Sequence, residues 1–297
     1  MNILKLLMII QCFVIVFVTN IFSAGQPLGD FRVGYIDEDN TKLHQLCELA
    51  SMTYNDITHL KGSKITKDFV LRERRKTPVS KLVYALATDS KTGSVIIAFR
   101  GSACTENWVL NADSDLVDVG FPNDSIRGQV HRGFLNAVTE LYPDIKRDFE
   151  QLKAQAPSRN YGKREIIFVG HSLGGALATL TAASFLSDSA YTFRANQIKI
   201  LGLAEPCVGD WDFSQSLGNA LERGGSSINH VRAYVNGDLV PGVSKIVNNR
   251  YRAHGLGVRL NYRTFLRRNP IFAITPFLVH YSAHDSSYGS YAKRVGK

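Results

Sequence analysis

The segment Gly170-His171-Ser172-Leu173-Gly174-Gly175 holds the residue types and spacing in this chain best suited to chemistry. A serine hydroxyl is a poor nucleophile and must be lifted clear of its neighbours and brought within reach of a base. A tight strand-to-helix turn does both, and it needs glycines at 170 and 174 because side chains there would collide with the adjacent strand and helix. The context fits: Ile166-Ile167-Phe168-Val169 precedes the serine as a short apolar strand, and Leu173 to Leu186 follows it as an Ala-rich apolar helix. A helix starting beside Leu173 aims free backbone N–H groups and its dipole at the reacting carbonyl, which makes the Leu173 N–H an oxyanion donor. The implied chemistry is acyl transfer through Ser172, which requires no cofactor.

The elements that must carry this turn can be read from periodicity. Thr41 to Tyr54 has the spacing of an amphipathic helix, with Leu43, Cys47, Leu49 and Ala50 on one face, packing across a sheet. Lys81 to Thr88 and Ser94 to Phe99 read as paired strands around Asp89-Ser90-Lys91-Thr92-Gly93, and the continuously apolar Val95 to Phe99 must be buried on both faces. Phe134 to Gln155 has helical spacing, Glu165 to Val169 is a strand, and strands Ile198 to Leu203 and His230 to Val235 flank a helix that follows Asp212. Alternation of strand and helix implies an α/β fold with a mostly parallel central sheet flanked by helices. In such sheets functional groups gather at the carboxyl edge, where Ser172 is expected.

With these segments in view, the chain resembles the fungal-type (class 3) lipase family of α/β-hydrolases, in which a Gly-His-Ser-Leu-Gly-Gly turn is usual. Phe99-Arg100-Gly101-Ser102 resembles the family's oxyanion strand, Asn107-Trp108 its lid, His131-Arg132-Gly133-Phe134 its His-x-Gly-Phe element, and Pro206-Cys207-Val208-Gly209-Asp210 its Pro-x-Val-Gly strand end. The resemblance spans roughly Thr41 to Tyr288 and implies an α/β-hydrolase fold with a lid, a lipid ester substrate, and Ser102 as the second oxyanion donor. Trp108, Val109, Leu110, Leu116, Val117, Val119 and Phe121, interspersed with Asp113, Asp115 and Asp118, are similar to an amphipathic lid, although the segment is longer than the family's compact form.

A base and an orienting acid must follow the serine in the order serine, acid, histidine. Asp238, in Asn236-Gly237-Asp238-Leu239-Val240-Pro241, comes directly after the strand His230 to Val235 and matches the family's Asp-x-Val-Pro element. Asp210 and Asp212 are rivals, but they precede a helix, where a carboxylate commonly caps free N–H groups. His284 resembles the histidine of the family's terminal Asp-His-x-x-Tyr element, with Ala283 in place of the acid and the tyrosine displaced to Tyr288; His280 stays open as the alternative base. His254 resembles a noncatalytic histidine of the family. His280 and His284 have the spacing of helical metal ligands, but no glutamate follows His280 and no third ligand is evident, so no metal is expected.

The 297 residues can form one α/β domain, and no composition shift or repeat argues for two. Residues 1–25 have signal-peptide architecture: Lys5, the apolar run Leu6 to Val18, then Ser23, Ala24 and Gly25; an uncleaved anchor is the alternative. The remaining 26–297 then form a single secreted domain. Cys47, Cys104 and Cys207 allow at most one disulfide. The formal charge is +9, and from Lys245 onward ten Lys or Arg residues face a single acid, Asp285. Such a field attracts anionic lipid surfaces, the alternative being a merely solvated basic surface; nucleic acid is not expected of a secreted chain. Arg267-Arg268 leads into the apolar run Pro270 to Val279, a second candidate lipid-facing surface or else core. Triacylglycerol and phospholipid are both compatible substrates. An esterase on soluble or carbohydrate-linked esters, or an inactive lipase-fold binding protein, are the other readings.

Overall fold

The computed structural model describes residues 33–34, 46, 49–50, 52–54, 62, 64–65, 68–78, 80–101, 114–155, 164–193, 197–222, 229–235 and 240–260. The leader 1–25, Cys47, Cys104 and the run 270–279 lie outside them. Ten strands are seen among the described residues: β1 (Val33–Gly34), β2 (Phe69–Lys76), β3 (Val83–Asp89), β4 (Val95–Phe99), β5 (Leu116–Asp118), β6 (Gln129–His131), β7 (Ile166–His171), β8 (Ile198–Leu203), β9 (His230–Val235) and β10 (Leu256–Leu260). The helices are α1 (Arg132–Ala154), α2 (Leu173–Ser187), α3 (Trp211–Leu221) and α4 (Val240–Val247). Eight strands form one sheet in the order β1-β10-β9-β8-β7-β4-β3-β2, while β5 and β6 form a separate antiparallel pair.

Six neighbours, β1, β10, β9, β8, β7 and β4, run parallel, and β3 and β2 continue the sheet antiparallel. This is the mostly parallel sheet that the alternation of elements predicts. Strand β4 sits inside the sheet, and all five of its residues are buried, as its unbroken apolar run requires. Its side chains alternate between two cores. Ile97 and Phe99 join Phe168 of β7, Phe149 of α1 and Leu177 of α2 on one face. Ile96 and Ala98 join Ile167, Leu201 and the helical residues Leu49 and Ala50 on the other. The expected amphipathic helix near residue 50 therefore does pack across the sheet.

Helix α2 has almost no polar face: only Leu186 of its fifteen residues escapes full burial. A helix apolar on every side must be covered on every side, and α2 lies between the sheet and α1. Helix α1 is joined to the antiparallel edge by a buried polar contact. Asp148 of α1 accepts from Arg75 Nε and Nη2 of β2 at 2.5 and 2.9 Å and from the Tyr84 hydroxyl of β3 at 2.5 Å. Thus one carboxylate fastens the helix layer to two strands.

Three sequence readings change. Leu116, Val117, Val119 and Phe121 are not part of a lid: Leu116 and Val117 lie in β5, Val119 is buried, and Phe121 packs against the core. The other residues of the expected lid, Trp108, Val109, Leu110 and Asp113, lie outside the described residues. Strands β1, β2, β5, β6 and β10 and helix α4 are additional to the elements expected. Cys207 is a free, buried thiol whose ionisation burial pushes up, so it stays protonated and unreactive.

Burial alone would raise the Asp148 carboxyl, but the hydrogen bonds from Arg75 and Tyr84 outweigh it and hold the group below the usual carboxylate range. A depressed folded-state pKa contributes stability that is full above the unfolded value, about 4, and is lost as pH falls through the folded one. Thermal melts from pH 7 to pH 2 should therefore show the melting temperature dropping below about pH 4, and Asp148→Asn should flatten that acid limb. An unchanged acid limb in the variant would remove Asp148 from this role.

Candidate active site

Ser172 stands at the carboxyl edge of the sheet, between the last residue of β7 and the first of α2. Its backbone has φ 58° and ψ −126°, a region that favours glycine and that few other residues adopt. Holding a serine there costs of order 1–3 kcal/mol and requires surroundings that over-determine the turn. Those surroundings are visible. The Ser172 N–H donates to Leu203 O of β8 at 2.8 Å, and Gly175 N–H donates back to Ser172 O at 2.9 Å. A Cβ on Gly170 would strike the Gly174 carbonyl, and one on Gly174 would strike the Phe99 carbonyl of β4. The two glycines are thus required by close approach of backbone to backbone.

The Ser172 side chain caps nothing and is only half-buried, so the hydroxyl is presented rather than consumed. Leu173 is the first helical residue of α2, where the helix itself offers its N–H no partner. The adjoining strand end is pressed against the same turn. A Cβ on Gly101 would meet the Tyr54 hydroxyl and the His171 carbonyl and would lie 3.3 Å from Ser172 Cβ. His171 is buried, and its Nδ1 is 2.9 Å from the Tyr54 hydroxyl, a contact that fixes the ring. Ser102, the next residue after Gly101, lies outside the described residues, as do Asp238, His280 and His284.

The structure separates the rival acids. Asp210 is the N-cap of α3: its carboxylate accepts from Phe213 N at 3.0 Å and from Gln129 N at 3.1 Å. Asp212 is in the first turn of α3, exposed to solvent. Both therefore do helix-terminus work. His131 is likewise structural, capping α1 through its contact with Phe134 N at 3.4 Å and stacking on the Phe134 ring.

Sequence reasoning missed a buried cluster behind the turn. Glu205, just past β8, accepts from the Thr179 hydroxyl of α2 at 2.7 Å and lies 3.1 Å from His230 Nε2 of β9. His254 Nε2 is 3.4 Å from the same carboxylate. Burial alone would raise the Glu205 carboxyl, but its contacts with the two imidazoles hold it below the ordinary range, whereas burial pushes His254 down to about 4 and keeps it neutral. Glu205, His230 and His254 present ligand-type atoms within 4.8 Å of one another. Arg232 Nε, however, stands 3.7 Å from Glu205 Oε2 and already supplies a buried positive charge; a metal cation would meet it unscreened. The arrangement is that of a charge-balanced carboxylate. No sequence motif announces it, because its members come together only through the β8–β9 register.

The strain at Ser172 yields a stability test. Ser172→Gly should raise the unfolding free energy by roughly 1 kcal/mol in denaturant titrations, because glycine adopts this backbone freely. Destabilisation by this substitution would mean that the turn is not strained.

The comparisons with known proteins agree with this geometry. Residues 96–248 match the family model "Lipase (class 3)", which is just over half of the chain. Secreted mono- and diacylglycerol lipase A of Penicillium cyclopium is 34% identical over 125 residues, covering 42% of this chain and 37% of the relative. Phospholipase A1-II 4 of Oryza sativa subsp. japonica is 30% identical over 164 residues, covering 49% and 40%. The match thus spans about two fifths of the length of these curated relatives. Among solved structures, the Rhizomucor miehei lipase propeptide complex aligns with a TM-score of 0.61 at 19% identity, covering 82% of this chain and 80% of that one. Lip2 lipase from Yarrowia lipolytica aligns at 0.58 with 21% identity, covering 77% and 80%. The fold is that of the α/β-hydrolases, and the chain belongs to the class 3 lipase family.

Proposed function

We propose that this protein is a secreted serine hydrolase that cleaves carboxylic ester bonds of lipids. The strained, presented Ser172 at the head of α2 is the observation that carries this reading. In the reaction His284 takes the Ser172 proton as the hydroxyl attacks the ester carbonyl, and Asp238 orients the imidazole and stabilises its charge. The tetrahedral oxyanion is bound by backbone N–H groups of Leu173 and Ser102 and collapses with loss of the alcohol, leaving an acyl-enzyme. Water activated by the same histidine releases the fatty acid and restores Ser172. Residues 1–25 serve as the leader and 26–297 as one domain, a reading supported by relatives that are named secreted lipases.

The mono- and diacylglycerol lipases and phospholipases A1 among the relatives support glycerolipids as the substrate class. Among the described residues no helix is long and apolar enough to cross a membrane. Exposed Arg250, with the basic residues that follow it in the sequence, favours binding to anionic lipid surfaces.

Ser172→Ala should lower hydrolysis of a nitrophenyl ester and of diacylglycerol at least about 1,000-fold and abolish fluorophosphonate labelling of the folded protein. Retained labelling would place the nucleophile elsewhere. On vesicles, adding anionic phospholipid at low salt should raise binding and rate, and about 0.5 M salt should cancel the gain, because screening is then nearly complete within several Å. Equal rates on neutral and anionic vesicles would remove the electrostatic contribution.

A further inference from the structure

Glu205 and Arg232 sit where three elements of the proposed site meet. The chain leaves β8 through Ala204, whose φ of 51° is left-handed and whose N–H is held by Ala233 O of β9 at 2.8 Å. A non-glycine residue in this region persists only when its neighbours require it. Here the strained turn delivers Glu205 against the helix that carries the elbow. A Cβ on Gly175 would come within 2.9 Å of Glu205 Cβ, and one on Gly202 would strike Glu205 Oε2. The second glycine of the Gly174-Gly175 pair is thus explained by Glu205. The carboxylate then bonds to Thr179, two helical turns into α2.

Arg232, 2% exposed, is placed on β9 three residues before that strand ends. Its Nη2 donates to the Glu205 carbonyl at 2.5 Å and to the Pro241 carbonyl, in the first turn of α4, at 3.4 Å. The Cys207 thiol reaches the same Pro241 carbonyl at 3.4 Å. The guanidinium therefore ties the exit of β8 to the start of α4, across the short connection from β9 in which Asp238 falls in the sequence. Both bonds come from one Nη2 group, whose direction is fixed by the rigid, planar and permanently charged guanidinium; the ammonium of a flexible lysine carries no such planar constraint.

We propose that Arg232, balanced by Glu205, is a positioning residue that sets the acid's connection relative to the nucleophile elbow. The inference rests on Asp238 being the acid of the proposed function. The carboxylate favours the charged imidazole and so raises the pKa of the base; displacing it lowers that pKa and moves the acid limb of kcat/KM to lower pH. A misplacement of about 1 Å is worth up to about 100-fold in rate.

The test is a cycle of Arg232→Lys, Asp238→Asn and the double variant in the full chain, with melting temperature and far-ultraviolet circular dichroism confirming the fold. Arg232→Lys should lower kcat about 10- to 100-fold with KM within about twofold, shift the acid limb downward, and have almost no further effect in Asp238→Asn. Glu205→Gln, which keeps the side chain's shape and its acceptor for Thr179, should show the same non-additivity with a smaller fall and covers the case in which Arg232→Lys does not fold. An unchanged acid limb, or losses that multiply with Asp238→Asn, would overturn the proposal. So would one equivalent of zinc that copurifies with the wild-type protein and is lost in Glu205→Gln. If Asp238→Asn alone leaves kcat intact, the triad assignment fails instead.

Discussion

The whole arrangement depends on how closely the first turn of α2 approaches strands β7 and β4. With no Cβ at 170 or 174, the helix backbone rests directly on the strand backbones, and the residue between them is forced into a conformation that serine rarely adopts. That approach is possible only because α2 is apolar on all sides and is clamped between the sheet and α1. Burial of the helix thus supplies the free energy stored in the turn. The stored strain holds the hydroxyl out at the carboxyl edge, and the helix aims its N-terminal N–H groups at the same place. Packing, strain and electrostatics are here consequences of one contact.

The region behind the turn shows a second constraint. Burying Glu205 and Arg232 together is costly, and such pairs frequently add little to stability compared with apolar packing. What they give is directional: a carboxylate and a guanidinium each have fixed hydrogen-bonding geometry, whereas leucines slide. Placing such a pair between α2, β8, β9 and α4 trades stability for a fixed relation among elements that the chemistry needs held.

Much of this was legible in the sequence because the central elements have strong periodicity. The buried run Val95 to Phe99, the strands Ile198 to Leu203 and His230 to Val235, and the strand-turn-helix hinge at Ser172 lie where pattern alone places them. Strand β2 escaped because a register shift between Leu71 and Glu73 breaks its alternation and its remaining residues are largely charged. Helix α4 escaped because Pro241 and Gly242 in its first turn read as a loop. The residues of β5 are set apart from a lid only by their pairing with β6, a tertiary fact that local spacing does not carry. The Glu205 cluster is illegible for the same reason: Thr179, Glu205, His230 and His254 meet only once α2, β8, β9 and the approach to β10 are assembled. The acid and base, by contrast, are inferred from chain order and family motifs and remain a proposal.

The central claim is that the head of α2 is an oxyanion-binding acyl-transfer site built on Ser172. A crystal structure of the protein inactivated with an alkyl phosphonate ester tests it most directly, since the adduct has the shape and charge of the tetrahedral intermediate. The account predicts phosphorus bonded to Ser172 Oγ, a phosphonyl oxygen about 3 Å from the Leu173 N–H, and the His284 imidazole beside Oγ. Phosphorus on any other residue, or a phosphonyl oxygen turned away from the α2 N-terminus, would contradict it.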